Sequence, residues 1–581
     1  MLNLLSLTVV LPLLGAGGIF VASFLFTRLD IERGRFWTFV AALVVAVATF
    51  VSVLVLRGRG SSASLSLPPP RSSLLTESVV RFHLDATLWP LAAAFSLVTC
   101  SFLLAEFGRA AEFGRTAGFG RRSDSSLDLT ALALVLLALG LAALWSATPL
   151  ATIVSWALYD LFLLLGQISV DGWNGESVRT LALGSFAGLF LWGGVLVAGD
   201  GMGSVPWSLM PPGGIKMTFW MLAGLLRIGA YPFHLAMPVG RYSSLPIVTM
   251  VFLSPVVGWG LWGRLALVTD GSLPVRSWMV IPALLTLVSG GFLAWTARSS
   301  RDAHPWIGMG ANGALLLSSV VASLSGGGSG TPENAALSIL SLGGTSWILG
   351  VTILFLDGSL AFPKVMSSRA SSLIPSLVGA LSLIGAPITL GFVTESCLVG
   401  HLVRRGHWIW SVGFVVGQAF LVAAVVRWLL SLFQPGSLIQ PGKPEVTSLG
   451  QLLPAAGWIG SALFLIIGGL APSLLLSGSF GLSLWDLFAK TSLVGWLLWF
   501  GSLLLGSILA WQDLHLRPKI SLWLDALHNV VRLNWAWNLL LDALNRGLSV
   551  VRILDETLGG RGALLWSFIV FLIVVLAWRA S

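Results

Sequence analysis

Sixteen apolar runs, most of about 20 residues, occupy most of this chain, and they restrict the fold more than any motif does. They lie at 2–27, 36–56, 86–106, 128–146, 149–170, 178–199, 215–237, 243–268, 277–297, 304–323, 335–358, 372–403, 409–433, 450–477, 490–511 and 563–579. At a rise of about 1.5 Å per residue, such a run crosses roughly 30 Å of hydrocarbon as an α-helix. Hydrocarbon offers no hydrogen bonds, so a spanning segment must pair its own backbone groups. The expected fold is therefore all-α: a polytopic bundle of about 16 transmembrane helices. Composition agrees, since only 10% of the 581 residues are charged and mean hydropathy is +0.90. The opening run "MLNLLSLTVVLPLLGAGGIFVASFLF" lacks a basic leader and is read as a retained first helix.

The loops set orientation. With the N-terminus outside, the inner loops collect Arg28, Arg33, Arg35, Arg109, Arg115, Arg121, Arg122, Arg179, Arg241, Arg298, Arg301, Lys364, Arg369, Lys443 and the basic residues of 512–562, and the outer loops hold about half as many basic residues. This bias predicts both termini outside a cell inner (plasma) membrane. The same arginines account for the net charge of +9, so the excess is read as topology and no nucleic-acid partner is expected. Twenty-seven tryptophans against three tyrosines predict that indole forms the belts at the lipid boundary. Residues 512–562 set Leu, Val and Trp at helical spacing but dilute them with Asp525, Arg532, Asp542, Arg546 and Asp555, which predicts an amphipathic lateral helix along the inner surface. The Ser/Pro/Gly-rich stretch 57–77 is read as an external loop, and 108–122 as a small Gly/Arg-rich inner loop.

Four charges stand out inside crossings: Asp160, Arg227, Glu395 and Arg427. Each costs at least ~2.5 kcal/mol at the bilayer centre, so such groups face the bundle interior and mark ion paths more often than not. Arg427 lies near a span end, where its stem can snorkel. Asp160 and Arg227 read equally as a structural ion pair. Two crossings look broken. "LLRIGAYPFHLAMP" (225–238) carries Pro232 and Pro238, and "GAPITLG" puts Pro387 between Gly385 and Gly391. Irregular backbone at membrane depth is tolerated where it is buried in protein or lines a wet cavity, and transporters place ion sites there. His234 follows the first break and is the best candidate for a proton relay, with His304 a further one at the inner start of its span. No phosphate loop, dinucleotide fingerprint, CxxC pair or HExxH is found, so no cofactor and no metal site is expected.

These residues resemble a family: the antiporter-like membrane subunits of respiratory complex I, shared with multisubunit cation/proton antiporters and membrane-bound hydrogenases. "LLRIGAYPFHLAMP" resembles that family's broken seventh helix, usually a lysine, a short apolar spacer, PFH and a further proline. "LSLIGAPITLGFVTESCLVG" is similar to its broken twelfth helix, with G-x-P-x-T-x-G-F followed by Glu or Lys. "FHLDATLWPL" (82–91) is similar to the start of its third helix, and "ARSSRDAHPWIGMG" to the inner segment before the tenth. Sixteen spans with an amphipathic helix before the last look most like the largest such subunit. The resemblance implies helices 1–3 with their loops in 1–127, a core of two inverted five-helix repeats in 128–434, additional spans in 435–511, the lateral helix in 512–562 and a final span in 563–581.

By the same resemblance Arg227 stands where the family has its seventh-helix lysine and Glu395 where it has its twelfth-helix acid or lysine. Asp160, Arg227, His234 and Glu395 would form the proton pathway, with redox chemistry in partner subunits of an NADH:quinone oxidoreductase-type complex and protons or Na+ as the transported ion. The departures are specific. The fifth-helix acid is displaced one turn to Asp160, Pro255 or Val256 stands near the eighth-helix lysine, and Ser346 and Gly350 stand where the eleventh helix has His and Lys. Arginine releases protons poorly. Three readings stay open: a proton-translocating subunit, a pumping-incompetent scaffold of such a complex, and a component of an independent antiporter.

Overall fold

A computed structural model of the chain describes residues 4–29, 34–57, 64–66, 81–85, 87–116, 124–173, 175–199, 201–236, 245–269, 274–325, 335–359, 369–432, 449–476, 491–558 and Ser567. The helices are α1 (Leu4–Leu29), α2 (Gly34–Leu56), α3 (Trp89–Thr116), α4 (Asp124–Trp145), α5 (Pro149–Asp171), α6 (Gly175–Ala198), α7 (Ile215–Ile228) and α8 (Leu245–Val268). They continue with α9 (Val280–Thr296), α10 (Ser300–Ser325), α11 (Ala335–Ser359), α12 (Arg369–Leu383), α13 (Gly391–Arg405), α14 (Trp408–Leu432) and α15 (Leu449–Leu470). The last two are α16 (Leu493–Val531) and α17 (Asn534–Leu558). Fifteen of the sixteen expected crossings coincide with these helices, the run 372–403 being divided between α12 and α13. The expected final crossing, 563–579, lies outside the described residues apart from Ser567.

The chain divides into two units, Met1–Ile520 and Ser521–Ser581. Within the first, 94% of the α11 span, 89% of the α10 span and 83% of the α3 span are buried, against 22% for α1 and 28% for α6. The first three therefore form the centre of the bundle, and α1 and α6 form its rim. Exposed apolar side chains on the rim, such as Leu14, Phe20, Leu189 and Leu196, are what a lipid-facing surface requires.

Tryptophan departs from the belt expectation. Trp145, Trp156, Trp220, Trp259, Trp262, Trp306 and Trp458 are fully buried, while Trp37, Trp173, Trp278 and Trp408 are exposed. The buried indoles fill space left by small residues on facing helices. Trp262 occupies the position a Cβ on Gly224 would take, at 2.3 Å, and its Nε1 donates to Met221 O at 3.3 Å. Interior use of Trp has no distinct mark in composition, so a count alone could not separate it from the belts.

Three boundaries also differ. Residues Ser64–Ser66 and Arg81–His83 form an antiparallel pair, Ser64 opposite His83, where only an external loop was expected. Helix α3 continues to Thr116 through part of the expected inner loop, because Ala110, Ala111 and Glu112 are good helix formers despite the flanking glycines. Helix α16 runs through residue 512 without interruption, carried across the change in composition by the i,i+4 pair of Asp513 and Arg517, with Nε 3.1 Å from Oδ2. In the second unit the amphipathic stretch is two helices rather than one, since Leu533 adopts φ 57° between α16 and α17.

Candidate functional site

Both expected breaks are present, and each ends a helix inside the bundle. Helix α7 stops at Ile228, where Gly229 (φ 76°) is a left-handed cap whose N–H returns to Leu225 O and Leu226 O. After the Tyr231–Pro232 turn the chain makes a short 3-10 turn, Phe233–Ala236. Helix α12 stops at Leu383, and α13 begins at Gly391. Between them Gly385 has φ 69° and Ile388 φ 75°, the latter a β-branched residue where only glycine sits without strain.

A helix interrupted in hydrocarbon leaves carbonyls and N–H groups that need partners. At the first break Asn312 on α10 donates from Nδ2 to Ile228 O at 2.8 Å, and Trp259 Nε1 on α8 donates to Asn312 Oδ1 at 3.1 Å. Thr286 on α9 accepts from Tyr231 N at 2.9 Å. At the second, Gln418 on α14 donates from Nε2 to Ile384 O at 3.0 Å, and Leu390 N donates to Leu465 O on α15 at 3.1 Å. Ser346 on α11 shares a 2.8 Å hydrogen bond with Ser382, whose Oγ accepts from Gly391 N at 3.3 Å. Thus Ser346, standing where the resembled family has a titratable group, secures the start of α13.

The charges beside the breaks are buried. Arg227 Nη1 lies 2.6 Å from both carboxylate oxygens of Asp160, with side chains 2% and 10% exposed. The guanidinium also lies 5.2 Å from the Trp156 ring and 5.6 Å from the Tyr159 ring. Its Nε and Nη2 have no hydrogen-bond partner among the described residues. Helices α6 and α8 close on the pair at glycines: a Cβ on Gly184 would fall 2.7 Å from Asp160 Oδ2, and one on Gly258 3.1 Å from Arg227 Cβ. Glu395, one turn into α13, is 3% exposed and folds back on the break, so that a Cβ on Gly385 would fall 1.9 Å from Glu395 Cγ. Its Oε2 has no hydrogen-bond partner among the described residues.

His234 is fully buried, its ring stacked on Tyr231 at 5.0 Å and 6° and 5.8 Å from Trp306. His304 lies in the second turn of α10, near the start of the span Asp302–Leu324, and is buried, edge-on to Phe355 at 6.0 Å and Trp428 at 5.9 Å. Pro387 lies in the second break, and Pro232 follows the first helix end. The structure therefore gathers Asp160 with Arg227 and Glu395 with Gly385 and Gly391, in two separate places. Among the described residues no group of three His, Cys, Asp or Glu side chains could hold a metal ion.

Two charged groupings escaped the sequence reading. Arg264, on α8, is buried and donates from Nη2 to Leu144 O at 2.7 Å and His83 O at 3.1 Å, with Nη1 3.6 Å from Asp85. Its place inside an expected span was the available signal. Arg427, read as a snorkelling residue, donates to Trp295 O and Ala297 O and meets Asp513 at 3.7 Å. Asp513 had been assigned to a surface helix, so nothing marked it as a partner.

With this geometry, comparison with known proteins is specific. No protein-family model matches the chain. In sequence it is 26% identical over 493 residues, 78% of its own length and 91% of the relative, to NADH-quinone oxidoreductase subunit N of Desulforudis audaxviator. In structure it is similar to a chain of the Mrp complex from Dietzia sp., with TM-score 0.69, 17% identity and 99% of this chain covered; it spans 63% of that chain's length. A chain of the membrane-bound sulfane sulfur reductase, an archaeal respiratory membrane complex, gives TM-score 0.68 at 16% identity, covering 99% of this chain and all of the other. A chain of respiratory complex I from Thermus thermophilus gives TM-score 0.61 at 17% identity over 87% of this chain. The broken crossings and the helical bundle are thus those of a multi-pass membrane protein similar in fold to chains of the Mrp complex and of respiratory complex I, and similar in sequence to subunit N of an NADH-quinone oxidoreductase.

Proposed function

We propose that the chain is a proton-translocating membrane subunit of an energy-converting oxidoreductase of the NADH:quinone type, assembled with other membrane subunits, while the redox chemistry occurs in partner subunits. Glu395 carries this reading: a buried carboxylate, seated on the glycine of an interrupted crossing, with one oxygen unpartnered among the described residues. A carboxylate in such a place gains and loses a proton at the point where backbone geometry is open to change. His234, at the first break, and His304, on α10, are the candidate relays, and the cargo is a proton before it is Na+, because a single carboxylate is a poor cage for a hard cation. The Asp160–Arg227 pair supplies fixed charge at the other break. Arginine holds its proton under all working conditions, so this pair shapes the local field without itself releasing protons.

The test is Glu395→Gln in the assembled complex, reconstituted in vesicles with a pH-sensitive dye inside. Proton transfer is expected to fall while electron transfer persists; unchanged proton transfer removes Glu395 from the path. One observation favours a second reading, a subunit that scaffolds and does not pump: the arginine in place of lysine, locked on Asp160 at 2.6 Å. Arg227→Lys separates the two. Proton transfer that is kept or raised supports the pumping reading, and loss of assembly with no transport phenotype of its own supports the scaffold. The excess of basic residues in alternate loops supports an orientation with both termini outside the inner membrane.

A further inference from the structure

One partner of each break stands on a pair of helices that also hold each other. Thr286 of α9 takes Tyr231 N at the first break, and Gln418 of α14 takes Ile384 O at the second. Helices α9 and α14 run in the same direction and meet through glycines: a Cβ on Gly291 would fall 2.8 Å from Gly417 O, and one on Gly417 2.6 Å from Leu287 Cγ. No side chain separates the backbones there, so the two helices slide or tilt as one body more readily than against each other. Thr286 and Gln418 each lie next to a residue of this seam. One side chain closing each break therefore stands on one joined pair, beside the same seam.

Nine residues beyond each of them, about 13.5 Å at 1.5 Å per residue, the pair is tied again. Arg427 of α14 donates through Nη1 and Nη2 to Trp295 O and Ala297 O at the end of α9. Arg517 of α16 donates to the same two oxygens, at 2.7 Å and 3.2 Å. Asp513 lies between the arginines, 3.1 Å from Arg517 Nε and 3.7 Å from Arg427 Nε. Terminal carbonyls of a helix lack intrahelical donors and carry partial negative charge, so two guanidinium groups suit them, and the carboxylate relieves the repulsion between the two cations. Helix α16 touches α14 again where a Cβ on Gly506 would fall 2.6 Å from Ala419 O, one residue from Gln418.

We propose that Asp513 and Arg517 are positioning residues for both breaks: through Arg427 and the α9–α14 seam they make the last described crossing of the first unit control Thr286 and Gln418 together. A plain cap on α9 would make the same hydrogen bonds, but its loss would loosen only the end of α9. The inference deepens the transport reading by joining its two sites, yet its test reads backbone protection, so either can fail without the other.

The experiment is hydrogen exchange by mass spectrometry on the full chain in lipid nanodiscs, comparing Asp513→Asn, Arg517→Gln and the milder Arg517→Lys with the unaltered protein. Exchange is expected to rise about tenfold, the scale of a 1.4 kcal/mol loss of local stability, in peptides containing 229–236 and 385–391 together, with α3 peptides unchanged. Arg517→Lys keeps the charge but not the fork, and should fall between. If Arg517→Gln does not fold, the other two variants carry the test. Adding Thr286→Val should abolish the effect of Asp513→Asn on 229–236 and leave that on 385–391. A change confined to 293–300, a change at one break alone, or a uniform rise that includes α3 overturns the proposal.

Discussion

Removing either member of the Asp160–Arg227 pair leaves the other charge buried, with its partner oxygens or nitrogen gone and no water-exposed side to turn to. The structure sets the scale. The side chains are 2% and 10% exposed, one nitrogen bridges both carboxylate oxygens at 2.6 Å, and Gly184 and Gly258 seal the neighbouring helices against them. Breaking such a pair from one side costs about 3–5 kcal/mol, a roughly 10²- to 10⁴-fold loss in the folding constant. Removing both charges leaves two amides of similar shape, which is far less costly. We therefore expect Asp160→Asn and Arg227→Gln each to destabilise by that amount, and the double variant to recover at least about 2 kcal/mol relative to the sum of the two. The assay is unfolding in mixed micelles of rising dodecyl sulfate fraction, followed by tryptophan emission, since Trp156 lies 5.2 Å from the guanidinium. Additive single effects would refute the reasoning: each charge would then be satisfied by something other than its partner.

Gly385→Ala should destabilise by about 2–5 kcal/mol in the same titration, combining about 1–2 for a left-handed backbone with about 1–3 for a Cβ driven into Glu395; a change under about 0.5 would mean that the break relaxes freely. Asn312→Leu strips the donor from Ile228 O and should cost about 1–3 kcal/mol, with faster exchange in 226–232 as the local sign. His83, the last residue of the strand Arg81–His83 and outside the spans, is held below the ordinary value of 6.5 by burial and by the nearby Arg264 guanidinium. The unfolded chain then takes up its proton first as the pH falls below 6.5, so stability drops with acid in that window, and His83→Gln should flatten that part of the stability–pH curve.

The crossings were legible because an apolar run of about 20 residues has few other fates, and the breaks because Pro232, Gly385 and Pro387 interrupt such runs. Charges inside spans were legible for the same reason, and Asp160 meeting Arg227 was one of the readings they allowed. The groups that complete the breaks were not. Asn312, Gln418 and Thr286 are neutral polar residues in helices that contain many serines and threonines, and only tertiary placement distinguishes a residue bonding to its own preceding turn, as Thr345 does with Ser341 O, from one bridging to another helix. Arg264 and Asp513 were hidden by their neighbours: each joins segments far apart in sequence, so neither spacing nor composition could pair them. The strand pair at Ser64–Ser66 and Arg81–His83 is three residues a side, too short for alternation to show.

Everything proposed about transport depends on Glu395 carrying a proton that can leave. Difference infrared spectroscopy of the protein in lipid reads this directly, from the carbonyl stretch of a protonated carboxyl group. The account predicts a band in the unaltered protein that shifts when H₂O is replaced by D₂O and is missing from Glu395→Gln. Identical spectra for the two proteins, or a band that never shifts in D₂O, would contradict it.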